Sequence, residues 1–182
     1  VSSQNLELIR LGYEAWNRGE FDAILERLDP QVELRGHPQL PEPGPFIGRE
    51  EVRRWFETLT DAWESISVTP IAFAEAGDSV VVLVNIAGRG RGSGVEVESG
   101  VDAHVWTFAA GSIIGMRWLQ GDEAARRANL SPRETEVLRL RVALERPDSE
   151  VAERLGLPED DVQRVADEAL AKLPLLAEVA GE

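Results

Sequence analysis

The spacing of apolar residues changes twice along this chain, and that change constrains the fold more than any other feature. Up to about residue 63 the apolar residues recur every three to four positions: Leu6, Ile9, Tyr13 and Trp16; Phe21, Ile24, Leu25 and Leu28; Val52, Trp55, Phe56, Leu59 and Trp63. That spacing collects side chains on one face of a helix. From 66 to 119 it gives way to β-rich segments in Val, Ile, Phe and Trp, and after Asp122 helical spacing returns. Helices followed by consecutive strands point to an α+β architecture, in which helices and an antiparallel sheet cover each other's apolar faces.

Punctuation residues divide these segments. The first helix is expected over 4–17, closed by a turn at Asn17-Arg18-Gly19, and the second over about 21–28, ended by Asp29-Pro30. Val32-Glu33-Leu34 reads as a short strand, and His37 to Pro45, with four prolines, as a loop. Gly48-Arg49-Glu50-Glu51 opens a third helix with acid where the helix dipole favours it. Strands follow at 66–76, 79–87, 95–109 and 112–119, with hairpin turns at Gly77-Asp78 and Ala110-Gly111. Three amphipathic helices on a long curved antiparallel meander make a cone with one open end, a natural place for a small, mostly apolar ligand.

The last third has different signals. Ser131 with Pro132 and Glu134 forms a capping-box pattern at the start of a helix reaching about Glu145. Ser149 is read as the cap of a short helix over 150–155, ended by Gly156. Pro158 starts a third helix that reaches about Leu173 and stops at Pro174. The chain is thus expected to divide into a pocket domain over 1–128 and a small all-α unit over 129–182, joined by a short connection at Gly121–Asn129.

Composition narrows the function. Cysteine is absent and His37 and His104 are the only histidines, so neither a disulfide nor a zinc site is expected, and no metal or cofactor is assigned. The polar N-terminus and the lack of a long apolar run predict a cytoplasmic protein with no membrane contact. The net charge is −14, with 12 basic and 20 acidic residues before Leu130 and 7 and 13 from there on. On average both parts repel a phosphate backbone.

Asp102, His104, Trp106 and Phe108 alternate along one strand and share a face. Facing the cone, Asp102 and His104 form a candidate orienting acid and general base; the alternative is a structural hydrogen-bonded pair. Six aromatic residues, Tyr13, Trp16, Trp55, Trp63, Trp106 and Trp118, are candidates to line an apolar pocket or simply to pack its core. Of these, Tyr13, Trp16, Trp55, Trp106 and Trp118 are taken as the pocket set. His37 is either a lid residue or an exposed turn residue. Gly88 to Gly94 has the glycines of a phosphate cradle, but a strand rather than a helix follows, so a hairpin or bulged strand is expected. Ser93 has no nucleophile context.

Four segments carry a family resemblance: Ala15–Asp22, Gly48–Trp55, Ala76–Val82 and His104–Phe108. In this order they resemble the SnoaL-like branch of the nuclear transport factor 2-like superfamily, over about residues 5–127. The resemblance implies the cone fold, a homodimer through the sheet, and either non-catalytic ligand binding or cofactor-free chemistry of the polyketide cyclase or isomerase type. Where relatives often end the last strand with an aromatic, a spacer and Asp, this chain has Trp118-Leu119-Gln120.

The later segments Leu130–Leu138 and Val151–Leu157, with Val162, resemble the helix-turn-helix unit of LuxR-type regulators and, more weakly, region four of sigma factors. The resemblance implies DNA binding through the third helix. That helix opens with Glu159-Asp160-Asp161, and only Arg164 and Lys172 offer positive charge along it, which disfavours DNA. The sequence therefore predicts a ligand-responsive regulator or adaptor. The alternative is a cofactor-independent cyclase or isomerase using His104 and Asp102.

Overall fold

The computed structural model describes residues 3–36 and 44–178. Helices α1 (Ser3–Asn17), α2 (Phe21–Leu25) and α3 (Arg49–Ala62) lie against a sheet of seven strands. The strands are β1 (Leu28–Arg35), β2 (Phe46–Ile47), β3 (Trp63–Ala76), β4 (Ser79–Gly90), β5 (Glu96–Glu98), β6 (Asp102–Ala109) and β7 (Ser112–Leu119). Their order is β2-β1-β7-β6-β4-β3, with β5 on β4. The run β3-β4-β6-β7 is the expected antiparallel meander, and β1 adds to β7 in parallel. The loop carrying His37 lies outside the described residues.

In the pocket part of the chain, three differences from the sequence reading bear on the site. The second helix ends at Leu25, and Leu28 opens β1, where Leu28, Val32 and Leu34 are buried. Trp63 is extended and starts β3 instead of ending α3. The expected strand over 95–109 is two strands, β5 and β6, separated at 99–101. In the first two cases pairing with a neighbouring strand supplies hydrogen bonds that local spacing does not reveal, and in the third the pairing with β4 is interrupted, Ala87 lying opposite Glu98 and Val84 opposite Asp102.

The glycine-rich segment is a hairpin. An added Cβ at Gly88 would meet the Trp63 ring at 2.9 Å, so this glycine makes room for an aromatic lying across the strand. The Arg91 guanidinium donates to the carbonyls of Thr60, Asp61 and Trp63, closing the C-terminal end of α3. At the far end of α1, the Asn17 side-chain amide donates to Val68 O at 2.8 Å and accepts from Val68 N at 2.9 Å, which fastens α1 to β3.

The segment read as a connection contains helix α4 (Gly121–Arg127), with acid in its first turn, arginine in its last and a Glu123–Arg127 ion pair. Helix α5 (Pro132–Val137) has the predicted capping box, complete in both directions between Ser131 and Glu134. It runs into a π-helix at Leu138–Ala143, where Leu138 and Leu140, two positions apart and so on different sides, join different apolar clusters. Helix α6 is Asp148–Leu155; Ser149 lies inside it, and no side chain caps its start. Gly156 closes it in the left-handed conformation, with φ +63°. Helix α7 is Glu159–Leu170, followed by a 3₁₀ turn at Leu173–Leu176 that contains Pro174.

This helical unit packs against the sheet. Val81 and Leu83 of β4, Ala103 and Val105 of β6 and Leu119 of β7 share one buried cluster with Ala124, Ala128, Leu138, Ala169, Leu173 and Leu176. The alternate residues Val80, Val82 and Val84 belong to the cone core with Ile9, Tyr13, Trp55 and Phe56. Strand β4 therefore has helices on both faces, which accounts for its unbroken run Val80-Val81-Val82-Leu83-Val84.

Candidate functional site

The cone cavity is built from elements that the periodicity separates in sequence. Helix α1 contributes Leu8, Ile9, Gly12, Tyr13 and Trp16; α3 contributes Trp55, Phe56 and Leu59; and the sheet contributes His104, Trp106, Ile113, Met116 and Trp118. Strand pairing sets the sheet wall: His104 lies opposite Val82 on one side and Trp118 on the other, and Trp106 lies opposite Val80 and Met116. Tyr13, Trp16, Trp55, Trp106 and Trp118 all line the cavity, whereas Trp63 does not and packs over Gly88 against the core.

The open space is about 70 Å³. Sites for drug-sized ligands run to roughly 300–1,000 Å³, so as it stands the cone suits a compact molecule. Gly12 contributes to that space. It sits in mid-helix, where glycine costs about 1 kcal/mol relative to alanine, and a Cβ there would meet nothing within 4 Å.

Polar groups on the wall are few and mostly paired with each other. The Tyr13 hydroxyl lies 2.9 Å from His104 Nδ1, and Trp106 Nε1 donates to the Tyr13 oxygen at 2.9 Å. Burial pushes the Tyr13 phenol well above its ordinary range, offset in part by the Trp106 hydrogen bond. The phenol thus keeps its proton, and which partner donates in the contact with His104 Nδ1 is set by the imidazole tautomer. Tyr13→Phe would leave the Trp106 indole N–H without this acceptor. We expect a loss of about 1–3 kcal/mol, read as a lower urea midpoint with an unchanged slope.

Asp102 is buried on the same strand. Its Oδ2 accepts from Trp118 Nε1 at 2.9 Å, and its Oδ1 accepts from the backbone N–H of Gly121, the first residue of α4, at 2.9 Å. The carboxylate therefore links a tryptophan of the cavity wall to the helix leading into the C-terminal unit. Gly121 is held close: a Cβ there would meet Val101 O at 2.7 Å.

Sequence reasoning missed one polar liner. Arg27, in the turn between α2 and β1, is half-buried and reaches the cavity, and its Nη1 is buried without a hydrogen-bond partner among the described residues. Its only sequence signal is an arginine beside the apolar positions Ile24, Leu25 and Leu28.

The two candidate DNA contacts are engaged within the chain. Arg164 pairs with Asp161 at 2.9 Å and Glu168 at 2.8 Å. Lys172 reaches the Glu134 carboxylate at 2.7 Å and the Asn129 carbonyl at 3.2 Å. The outer face of α7 exposes Glu159, Asp160, Asp167 and Glu168. The Lys172 hydrogen bond, against a smaller opposing effect of burial, holds the Glu134 carboxyl below the usual carboxylate range. A lowered carboxylate pKa stabilises the fold above the unfolded value of about 4.5, and that stability is lost as pH falls through the folded value. Lys172→Met is expected to flatten the acid limb of the stability–pH curve below that point, as measured by thermal unfolding between pH 3 and 7.

Among the described residues no group of three or more His, Cys, Asp or Glu side chains could hold a metal ion. No helix among them is long and apolar enough to cross a membrane.

Comparison with known proteins places this geometry. Residues 128–174 match the model of sigma-70 region 4, the weaker of the two likenesses read for the C-terminal segment. A search of curated proteins gives no match. Among solved structures, an NTF2-like protein of unknown function from Burkholderia pseudomallei is similar at 23% identity and a TM-score of 0.60, covering 69% of this chain and 97% of that one. An NTF2-like protein from Burkholderia thailandensis is 26% identical with a TM-score of 0.58, covering 62% and 87%. A Mycobacterium tuberculosis protein solved with estradiol-17β-hemisuccinate is 17% identical with a TM-score of 0.55, covering 64% and 93%. Residues 9–116, well over half of the chain, match the SnoaL-like domain model, and the protein therefore belongs to the SnoaL-like domain family.

Proposed function

We propose that this protein is a ligand-responsive regulator or adaptor: its cone binds a compact, mostly apolar molecule, and its helical unit passes occupancy on to a partner. The alternation along β4 and β6 carries this reading. Val80, Val82, His104 and Trp106 face the cavity side, while Val81, Leu83, Ala103 and Val105 on the same strands hold the helical unit. A ligand that shifts the strands changes the surface on which the helices rest, provided it binds the two arrangements with different affinity.

The partner we favour is a protein rather than DNA. The acidic outer face of α7 and the internal pairing of Arg164 and Lys172 leave little of the positive charge that phosphate binding needs. The LuxR-type likeness of the unit thus bears on its fold, not on a DNA target. A homodimer through the sheet remains part of the proposal only with the helical unit displaced, because that unit already covers the outer faces of β4 and β6. A cytoplasmic location fits this role.

Native mass spectrometry of the purified full chain tests the reading, with Gly12→Leu as the comparison. The leucine fills the open side of the cavity on a helix that tolerates it. An extra small mass on the wild type that is missing from Gly12→Leu supports a ligand pocket. A bare wild-type mass, with helical-unit hydrogen exchange identical in the two proteins, counts against it.

A second reading is a cofactor-free cyclase or isomerase, favoured by one observation: the Tyr13–His104 contact lies inside an apolar cavity. In this reading His104 is the base and Asp102 its support. His104→Ala would then abolish turnover of a carbonyl substrate without unfolding the chain, and unchanged turnover removes the assignment.

A further inference from the structure

We infer that the ligand of the cone is a small organic acid whose carboxylate is held by Arg27. The inference rests on the cone being a ligand pocket, as proposed above, and adds the chemical class of its occupant. An arginine side chain is always protonated and carries only donors. Nearby arginines have their partners: Arg49 donates to Leu28 O and Arg53 pairs with Asp22. Arg27 differs. It lines the cavity, and among the described residues its buried Nη1 has no acceptor and its side chain makes no ion pair.

A buried donor on a charged group that finds no acceptor is costly, and an anion in the cavity relieves that cost. The other polar groups on the wall do not serve this purpose, because Tyr13 already joins His104 and Trp106. The rest of the lining is aromatic or aliphatic, with Trp16, Trp55 and Phe56 nearest in kind to an aromatic or branched ligand body. A neutral hydrocarbon would leave Arg27 unsatisfied, and a multiply charged ion would place further charge against apolar rings. One carboxylate on a compact apolar body matches both.

Benzoate and benzamide make the test, since they share size and shape and differ in charge. Binding to the full chain is followed through the indole N–H resonances of its tryptophans. The expected result is benzoate binding at least tenfold tighter than benzamide to the wild type. In Arg27→Met that preference disappears. Should Arg27→Met fail to fold, Arg27→Gln provides the same neutral comparison. Equal binding of the two probes to the wild type overturns the role of Arg27 and leaves the pocket standing. A tenfold preference that survives in the neutral variant also overturns it. If neither probe shifts any tryptophan signal, both the pocket and its acid specificity fall.

Discussion

Leu176→Asp is expected to detach the helical unit from the sheet and make the protein self-associate. Leu176 is about 1% exposed in the 3₁₀ turn after α7, in the cluster with Leu173, Val81, Leu83 and Val105. Truncating a buried leucine costs about 2–5 kcal/mol, and a carboxylate in its place adds the expense of burying an unpaired charge. The side chain escapes that penalty by leaving the sheet, and the turn leaves with it. The uncovered strip of β4 and β6 consists of valine, leucine and alanine, an apolar patch of the kind that drives association. We expect a melting temperature lower by about 10 °C, faster amide exchange in α5 and α7, and a concentration-dependent dimer or larger species by size-exclusion chromatography. A variant that stays monomeric with native exchange protection would show that the cluster contributes little to holding the unit in place.

The second large effect is expected at Asp102. Asp102→Ala removes the acceptor for Trp118 Nε1 and for the Gly121 N–H, leaving two part-buried donors without it. At about 1 kcal/mol or more for each part-buried donor that loses this acceptor, the loss is about 2 kcal/mol or more. Its location matters as much as its size, because one bond reaches the cavity wall and the other the start of α4. The disturbance should therefore appear at both ends: a shifted Trp118 indole resonance and faster exchange at Gly121 and Ala124. Asp102→Asn keeps one acceptor oxygen and should lose about half as much. If the Asn variant instead lost a carbonyl-proton activity while keeping wild-type stability, Asp102 would act as the support of a base and the catalytic reading would gain.

Much of this fold is written in local spacing. The shift from helical to strand recurrence marks the end of α3 to within a residue or so. Gly77 and Gly111 adopt the positive φ their turns require. The capping box at Ser131 and Glu134 sits where its residues announce it. The alternation of Asp102, His104, Trp106 and Phe108 sets them on one side of β6, and helical spacing sets Tyr13 and Trp16 on one face of α1.

Other features escape such reading, for related reasons. Leu28 continues a helical pattern, yet it joins β1 because β7 offers it a partner. Trp63 continues another, yet it becomes a strand residue lying over Gly88. Arg27 stands out only once three elements close a cavity around it. The run from Val80 to Val84 reads as a strand in the sequence, but only the fold shows that helices cover both of its sides. Spacing determines which side chains share a face, because backbone geometry sets the period. What lies against that face depends on contacts between residues far apart in the chain. Burial of those contacts decided that the outer side of β4 and β6 holds the chain's own helical unit.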